Sequence, residues 1–583
     1  MTGKPRMLLA AARRLTLLAA ALAACGGVAR PGTGGQGRPG RLAGVMGAAS
    51  SRDDIIVLPQ LNAISAIAVS RRFVFAATPN GLAIYDRNFR AWRPPVSISD
   101  GIGQSLLTAG AAAGAAAYDV DRAGSMAADP GSDAVWIGGQ GVVYRYDPTV
   151  DVLDRVLLPR GGTVDLIAFD RRDLAGGALV RASGYWSRVT STGFGRPVGI
   201  EEFPPAEALI VPAGYEEIVR EYPALRSFGR LMTRDGDLRS WPVSDASKPY
   251  GASEVWLGTW GNGVFEADPL FLDAEHHPFG LVTTGAGAIA SDGAGIWVAG
   301  SGAQPIGFRQ PERGGLTFTT ADLADWRWVD PAAARTLDRV RAYDIVLRDG
   351  QAWVATGRGL FVIAVSPDVS LRDIELIPVP SDAVFALASA GTGIWVGTAS
   401  GVSLQMFGPD RKRDRAETAL RDVMIPGVPV RDLLLVGESL WIASDRGLMV
   451  LPGGRDEPLR PVAPGAAILS RPIRALAHSD SIVTVATEGE IRLLDARTAT
   501  PLPTPLAVDA GRVGEIETVA MDGRTIWIGG SHGLLIITRA TRVARFLPSS
   551  EAVHDVELAG DIAWVASHRA LVRFRRLADG TIP

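Results

Sequence analysis

Cysteine is almost absent from the chain: among 583 residues there is one, Cys25. A single thiol forms neither an intramolecular disulfide nor a multi-cysteine metal site. Histidine is also scarce, with six residues. One pair, His276-His277, lies beside Glu275 and Asp273 and carries metal-ligating side chain types. Neighbouring residues in a loop are usually simply solvated, so we expect no metal and no cofactor.

A surplus of basic charge is lacking as well. Lys and Arg total 59 against 62 Asp and Glu, a net charge of −3. Removal of residues 1–24, which hold four basic residues and no acid, lowers it to −7. The basic residues are scattered along the chain and leave no electrostatic footprint for nucleic acid, so we exclude nucleic acid as a partner.

Specific enzyme motifs are missing too. The sequence contains no P-loop and no His-Glu-x-x-His, the motifs that would mark a phosphate cradle or a catalytic zinc. The spacing Gly-x-Ser-x-Gly occurs once, at residues 529–533, but there it is part of a segment that recurs along the chain. We therefore predict a protein that is not an enzyme. A lyase or hydrolase acting on polysaccharide stays open, because a histidine and carboxylates converging on a channel can be judged only by position.

The chain has no long hydrophobic run. A short one at residues 15–24 is too short to span a bilayer as a helix. A basic segment precedes it, which is typical of a secretory signal. Its end, Leu22-Ala23-Ala24-Cys25, resembles the bacterial lipobox, in which the cysteine is acylated and the signal is cut before it. We predict a signal peptide at 1–24, lipidation of Cys25 and a Gly/Pro-rich flexible tether at 25–52. Gly26 after the cysteine favours the outer membrane, facing the periplasm or the cell surface.

What the chain does have is a repeat. A phrase of Trp, an aliphatic, Ala or Gly, then Gly, Ser or Thr recurs eight times, and Phe75, Val180 and Thr484 hold the tryptophan position in three degenerate copies. The tryptophans are Trp136, Trp256, Trp297, Trp353, Trp395, Trp441, Trp527 and Trp564. The last six positions are 42, 46, 43, 43 and 37 residues apart, the length of a four-stranded propeller blade. We expect the tryptophans to fill the space between blades.

Each unit predicts an inner strand, a turn, the tryptophan strand, a glycine turn, a third strand and an outer strand. Such a unit buries both faces only by stacking on copies of itself. The predicted fold is all-β, with about 11–12 four-stranded blades in two tandem propellers, since one ring holds four to eight. The last unit stops without an outer strand, and Ile55-Ile56-Val57-Leu58 is expected to supply it and close the ring.

The predicted domains are N-terminal blades with insertions at 53–285 and C-terminal blades at 286–583, seven of them from Trp297 onward. The interval of 76 residues between Val180 and Trp256 has room for a twelfth unit or an insertion, with a helix predicted at 215–232. A second insertion, at 106–117, is expected to lie on the surface.

Two copies, IWIGGSHGL at 526–534 and VWIGGQGVVYRYD at 135–147, resemble the repeat of the two-component-regulator propeller family. Those repeats form extracytoplasmic ligand-sensing propellers of hybrid sensor kinases, often as two rings. The resemblance implies a propeller over about residues 60–583. No kinase, receiver or DNA-binding segment is expected here, so a signalling role would need a partner. In general plan the chain also resembles outer-membrane assembly scaffold lipoproteins.

In a propeller, the start of each inner strand and the turn between second and third strands lie on one face. We expect that face of the C-terminal ring to bind a small anionic or sugar-like ligand at the channel mouth. The alternative is that this face is polar only because it is exposed to solvent. The candidate residues are Arg358, Arg431, Asp432, Arg446, Arg474, Glu517, His532, His554, Asp555, His568 and Arg569.

The sequence thus favours a lipid-anchored extracytoplasmic module that recognises a small molecule, a glycan or an envelope protein. An envelope scaffold or assembly lipoprotein is the alternative, and a propeller lyase or hydrolase is the third.

Overall fold

The computed structural model of the chain describes most of the sequence after residue 53. The described ranges are 54–78, 80–97, 126–190, 195–199, 203–221, 232–234, 240–249, 254–268, 273–303, 314–329, 337, 340–365, 374–391, 393–406, 424–452, 460–461, 469–503, 506–507 and 510–583. The predicted signal peptide, Cys25, the tether and the insertion at 106–117 lie outside them. The described residues form eleven antiparallel sheets, which we call blades 1 to 11.

Strand β1 (Ile55–Pro59) precedes four N-terminal blades. Their strands are β2 (Ala66–Val69), β3 (Phe73–Thr78), β4 (Gly81–Asp86) and β5 (Ala91–Ser97) in blade 1; β6 (Met126–Ala128), β7 (Val135–Gly138), β8 (Val142–Asp147) and β9 (Val152–Leu157) in blade 2; β10 (Val164–Asp170), β11 (Ala178–Ala182), β12 (Tyr185–Val189), β13 (Arg196–Pro197) and β14 (Leu209–Ile210) in blade 3; and β15 (Met232–Arg234), β16 (Ser240–Ser247), β17 (Val255–Thr259), β18 (Val264–Asp268) and β19 (Asp273–His277) in blade 4.

Seven C-terminal blades follow. Their strands are β20 (Ala286–Ser291), β21 (Gly295–Gly300), β22 (Leu316–Thr320) and β23 (Trp326–Val329) in blade 5; β24 (Ala342–Arg348), β25 (Gln351–Thr356), β26 (Gly359–Ala364) and β27 (Ile374–Ile377) in blade 6; β28 (Val384–Ala390), β29 (Gly393–Thr398) and β30 (Gly401–Met406) in blade 7; β31 (Val430–Val436), β32 (Ser439–Ser444), β33 (Gly447–Leu451) and β34 (Arg460–Pro461) in blade 8; β35 (Ile473–Ser479), β36 (Ile482–Thr487), β37 (Glu490–Asp495) and β38 (Leu506–Ala507) in blade 9; β39 (Ile516–Met521), β40 (Thr525–Gly530), β41 (Gly533–Thr538) and β42 (Ala544–Pro548) in blade 10; and β43 (Val553–Ala559), β44 (Ile562–Ser567) and β45 (Ala570–Arg575) in blade 11.

The recurring phrase makes a tight hairpin between the second and third strands. In blade 6 the hydroxyl of Thr356 donates to the carbonyl of Gly359 at 2.8 Å, and Gly359 has a φ of 129°. Thr398 and Gly401 repeat this arrangement in blade 7, at 3.0 Å and 129°. Only glycine adopts such a φ without strain, which explains the glycine six residues after the tryptophan position.

The tryptophans of the phrase are core residues, as predicted. All eight are buried, from fully enclosed Trp527 to Trp297 and Trp395, which are each 5% exposed. Trp527 packs with residues of blades 10 and 11, and Trp353 with residues of blades 6 and 7. The large ring therefore fills the gap between neighbouring sheets.

Successive inner strands of blades 5 to 11 contact one another, and β43 of blade 11 contacts β20 of blade 5, so these blades form a closed seven-bladed ring. Strand β1 pairs antiparallel with β45, with Leu58 opposite Leu571, and completes blade 11. The predicted closure by the N-terminal strand is confirmed. A sheet edge that would otherwise stay open is thereby covered.

Blades 1 to 4 form the smaller N-terminal propeller. Their inner strands contact in the order β10, β6, β2 and β16. Between blades 3 and 4, helix α1 (Tyr215–Glu221) packs Ile218 and Val219 into the core of blade 4. The helix predicted at 215–232 is confirmed up to Glu221 and wrong at Met232, which begins a strand.

Within the described residues, the long interval between Val180 and Trp256 adds β14 and α1 rather than a twelfth sheet. Short helices complete the described elements: α2 (Ala510–Val513) and the 3-10 turns Leu174–Gly176 and Ala206–Ala208.

Ser50–Pro583 form one compact unit, and the domain boundary at 285/286 stays a prediction. No helix in these parts of the chain is long and apolar enough to cross a membrane.

Candidate functional site

Every inner strand of the C-terminal ring carries a β-bulge near its start. In blade 6, for example, Ala342 lies opposite Thr356 and Asp344 opposite Ala355, so Tyr343 is the extra residue. A bulge re-aims the side chain of the inserted residue. The bulged position falls ten residues before the tryptophan position in all seven blades. It is occupied by Gly287, Tyr343, Phe385, Arg431, Arg474, Glu517 and His554. We call the last six the mouth residues.

Aspartates that directly follow the bulge hold neighbouring blades together. In the C-terminal ring each inner strand is the edge of its sheet, so its N–H groups on the channel side need acceptors. The carboxylate of Asp432 accepts from the N–H of Leu433 at 2.7 Å and from that of Leu476, in blade 9, at 2.6 Å. Burial raises the pKa of Asp432 to about 7.

The same bridge recurs at other junctions between blades, including the junction that closes the C-terminal ring. Asp555 of blade 11 accepts from its neighbour Val556 at 2.8 Å and from Ile289 of blade 5 at 2.9 Å. Asp344 links blade 6 to blade 7 in the same way. In the N-terminal propeller, Asp245 of blade 4 accepts from Ile67 of blade 1 at 2.9 Å. Burial raises the pKa of Asp555 to about 6 and that of Asp245 to about 7.

One side of the mouth is aromatic. The rings of Tyr343 and Phe385 meet edge to face with centroids 5.1 Å apart. The guanidinium of Arg431 lies 5.3 Å from the centroid of Phe385, and that of Arg341 lies 4.8 Å from the centroid of Tyr343. Neither ring is buried, so this side presents partly exposed apolar surface framed by cations.

The next two blades around the ring, blades 8 and 9, contribute ionic groups. The Nε and Nη2 atoms of Arg431 both donate to the carboxylate of Asp445 at 2.8 Å. Arg474 donates from Nη2 to Glu488 at 2.6 Å, and the same nitrogen lies 3.3 Å from a carboxylate oxygen of Glu515. The hydrogen bond from Arg431, followed by its charge, lowers the pKa of Asp445. These two arginines are therefore already paired.

A polar cluster of four side chains crosses the channel; we call it the clasp, and it consists of Arg341, Glu517, His554 and His568. Arg341, which precedes β24 of blade 6, forms an ion pair with Glu517 of blade 10. Blades 11 and 5 lie between these two on the shorter path around the ring. Nδ1 of His554 lies 2.8 Å from the same carboxylate, and Nε2 of His554 lies 3.4 Å from Nδ1 of His568.

The environment sets the protonation of the clasp. Burial would raise the pKa of Glu517, but hydrogen bonds from His554 and Arg341 and their charges lower it below the ordinary value. Burial, with the charge of His554, lowers the pKa of His568. Glu517 is therefore held ionised between two donors.

The structure brings together five of the eleven candidate residues: Arg431, Arg474, Glu517, His554 and His568. The carboxylates of Asp432 and Asp555 are used by backbone N–H groups of the channel wall. Arg358, Arg446 and His532 are exposed in the turns between second and third strands. Arg569 pairs with Glu551, with 3.2 Å between Nε and the carboxylate. A ligand role for these residues stays a prediction.

Sequence reasoning missed Arg341, Phe385, Glu488 and Glu515. Phe385 stands at the same ten-residue offset as Arg431, so the register of the repeat could have found it. The sequence candidates were all ionisable residues, so the aromatic Phe385 was not among them. Arg341 lies two residues before a bulge, and its partner Glu517 is 176 residues away, a pairing that only ring closure creates.

The pair His276-His277 lies in strand β19 rather than in the expected loop, so the two side chains point to opposite faces. Nε2 of His276 lies 2.9 Å from the carbonyl oxygen of Asn262. His277 lies on the other face with Glu266 and Glu275, where one ligand atom from each residue is within 4.8 Å of the other two.

No protein-family model and no curated protein matches the chain. Solved structures that are similar to it include the extracellular domain of the putative one component system BT4673 from B. thetaiotaomicron, at 12% identity, a TM-score of 0.39 and coverage of 89% of this chain and 71% of that one. PorZ, an essential surface component of the type-IX secretion system of Porphyromonas gingivalis, is 12% identical, with a TM-score of 0.47 over 90% of this chain and 87% of that one. The Pan2 WD40 domain of Neurospora crassa is 10% identical, with a TM-score of 0.35 over 51% and 91%. At these values the likenesses carry no argument about function.

Proposed function

We propose that the chain is an extracytoplasmic binding module whose C-terminal ring receives a sugar-like ligand at the mouth residues. The observation that carries this proposal is that one bulged position, repeated around a closed ring, places two aromatic, two arginine, one glutamate and one histidine side chain at one end of a channel. Polar side chains converging beside apolar surface are typical of a small-molecule site.

Charge pairing favours a polyhydroxylated ligand over a strongly anionic one. Arg341, Arg431 and Arg474 each pair with at least one carboxylate, so the mouth offers no net positive field. A sugar hydroxyl donates to a carboxylate and accepts from a guanidinium, so paired arginines and acids suit it.

The place of action in this proposal follows from the N-terminal segment. The lipobox-like Leu22-Ala23-Ala24-Cys25 and the preceding signal pattern support lipid anchoring of the chain in the envelope. The tether at 25–52 would let the propellers stand away from the membrane surface.

The proposal is tested by probing a glycan array with the purified, acylated full-length protein. We expect binding to a defined saccharide class, weakened at least about tenfold by Arg474→Ala. The matched control is Arg181→Ala, since Arg181 also pairs with an acid, Asp165, at 2.9 Å but lies in blade 3. Absence of saccharide binding, or equal loss in both variants, would contradict the proposal.

An enzymatic role has one observation in its favour, the 2.8 Å contact between His554 and Glu517. The side chain of His554 is only 3% exposed, and its other nitrogen faces His568. Positioning of the mouth therefore suits these residues better than proton transfer to a substrate. Turnover of a bound polysaccharide that is lost in His554→Ala would reverse this conclusion.

An affinity pull-down of the acylated protein from its native envelope distinguishes a scaffold role from ligand binding. A stoichiometric protein partner that is still recovered with the Arg474→Ala variant would favour the scaffold role. Recovery of the protein without such a partner supports the ligand-binding proposal.

A further inference from the structure

Three metal-ligating side chains emerge from one face of blade 4. Strands β18 and β19 are antiparallel, with Glu266 directly opposite Glu275 and Val264 opposite His277. Because side chains alternate along a strand, Glu275 and His277 point to the same face, and Glu266 joins them from the neighbouring strand. One ligand atom from each lies within 4.8 Å of the other two.

The histidine supplies an independent sign of a ligand. His277 is 6% exposed, and its Nε2 is buried without a hydrogen-bond partner. The nearest carboxylate oxygen, Oε2 of Glu266, is 3.4 Å from it but is not aligned for a hydrogen bond. A buried nitrogen that faces two carboxylates without an aligned hydrogen bond is unusual, because buried polar atoms are nearly always satisfied.

The imidazole is also held in place. The rings of Tyr85 and Trp256 pack on it, with centroids 4.8 Å and 5.1 Å from that of His277. These contacts fix the position of the imidazole nitrogen, and a neutral imidazole is the form that coordinates metals.

We propose that Glu266, Glu275 and His277 bind a divalent first-row transition metal ion, with Zn²⁺ as the best fit. One imidazole nitrogen and two carboxylate oxygens are a zinc-type donor set that leaves a fourth position open to water. Ca²⁺, which is coordinated by oxygen atoms, would need more oxygen ligands than these three residues provide. The site lies beside the junction of blades 4 and 1, away from the mouth, and does not depend on the proposed function.

Arg90 of blade 1 is the competitor for this site. Its Nη2 donates to both carboxylate oxygens of Glu275, at 2.7 and 2.9 Å. The two side chains are 67% and 57% exposed, so the pair is held weakly and exchanges with solvent readily. The ion binds when the Glu275 carboxylate turns from Arg90 toward His277, and removal of Arg90 therefore strengthens binding.

The test is Zn²⁺ binding to the chelator-treated full-length protein, measured by metal analysis and by competition with a fluorescent zinc indicator. We expect one Zn²⁺ per chain, binding weakened at least about tenfold in Glu275→Gln and tightened several-fold in Arg90→Ala. Glu221→Gln is the control, because Glu221 is an exposed acid paired with Lys248 near the same blade and is expected to change nothing.

Both test substitutions are at exposed positions, and circular dichroism checks that the variants fold. Lack of bound zinc in the parent protein, unchanged affinity in Glu275→Gln, or weaker binding in Arg90→Ala would each overturn the proposal.

Discussion

At the residue scale, the aspartates after the bulge show how a side chain type can be visible in the sequence while its role is not. Asp432 and Asp555 were candidates for ligand binding because they are ionisable and near the mouth. Their partners are N–H groups 44 and 266 residues away, in the next blade around the ring. Only assembly of the ring brings these groups together, so no local pattern could assign the role.

The bridge predicts the effect of Asp432→Asn. The carboxylate accepts one N–H on each oxygen, whereas the asparagine amide has only one acceptor atom. We expect a loss of about 1–3 kcal/mol in the free energy of unfolding, because one buried N–H is left unpaired. Urea denaturation of the variant measures it, with Asp561→Asn at an exposed turn as control. Equal stability of the two variants would contradict the bridging role.

Glu557 predicts a dependence on pH. Burial, with the charge of Asp555, raises its pKa to about 7, above that of an unfolded glutamate. Between about pH 4.5 and pH 7 the folded state therefore holds more protons, and stability falls as pH rises, by up to about 1.4 kcal/mol per pH unit for this group.

Glu557→Gln removes the buried charge. We expect the variant to be more stable than the parent at pH 8 and nearly equal to it at pH 4, as measured by urea denaturation across this range. The control is Glu438→Gln at an exposed position, which should follow the parent protein. A variant that loses stability at pH 8 would show that the charge is favourable there.

At the scale of single elements, the sequence predicted the strands of the repeat well because each is delimited by local signals. The glycine turn, the tryptophan strand and the aliphatic inner strand depend on short-range geometry that residues such as Gly359 impose directly. The helix at 215–232 was only partly right, because an apolar period alone does not mark where a helix ends. The bulges were missed, since an extra residue in a strand leaves no sign in an isolated repeat.

Strand β1 gives the prediction at this scale. Leu58 is fully buried opposite Leu571, whereas Ile55 in the same strand is 38% exposed. Leu58→Ala should lower the free energy of unfolding by about 2–5 kcal/mol, because it leaves a cavity where the ring closes. Ile55→Ala should change it by less than about 0.5 kcal/mol. Similar losses in both variants, measured by urea denaturation, would count against closure by β1.

At the scale of the whole molecule, repeat spacing predicted two rings and a seven-bladed C-terminal one, because blade length is set locally and blade number follows by counting. For the mouth, the sequence predicted which face of the ring carries the residues but not how their side chains pair. Arg431 and Arg474 were found because the repeat fixes where inner strands begin. The clasp was not, since Arg341 and Glu517 belong to blades that meet only across the finished channel.

The clasp can be tested by a double-mutant cycle of Arg341→Ala and Glu517→Gln. We expect a coupling energy of about 0.5–3 kcal/mol in urea denaturation, the range for residues in direct contact. The control cycle pairs Arg341→Ala with Glu488→Gln, whose carboxylate binds Arg474 instead. Additive effects of the two substitutions on the free energy of unfolding would show that Arg341 and Glu517 do not interact across the channel.

The central claim, that the mouth residues receive the ligand, is tested most directly by hydrogen–deuterium exchange mass spectrometry of the full-length protein with and without the strongest saccharide from the glycan array. Protection is predicted at the starts of β24, β28, β31 and β35, where Tyr343, Phe385, Arg431 and Arg474 lie, with the N-terminal propeller unchanged. Protection confined to blades 1 to 4 or to the outer strands of the C-terminal ring would contradict the account.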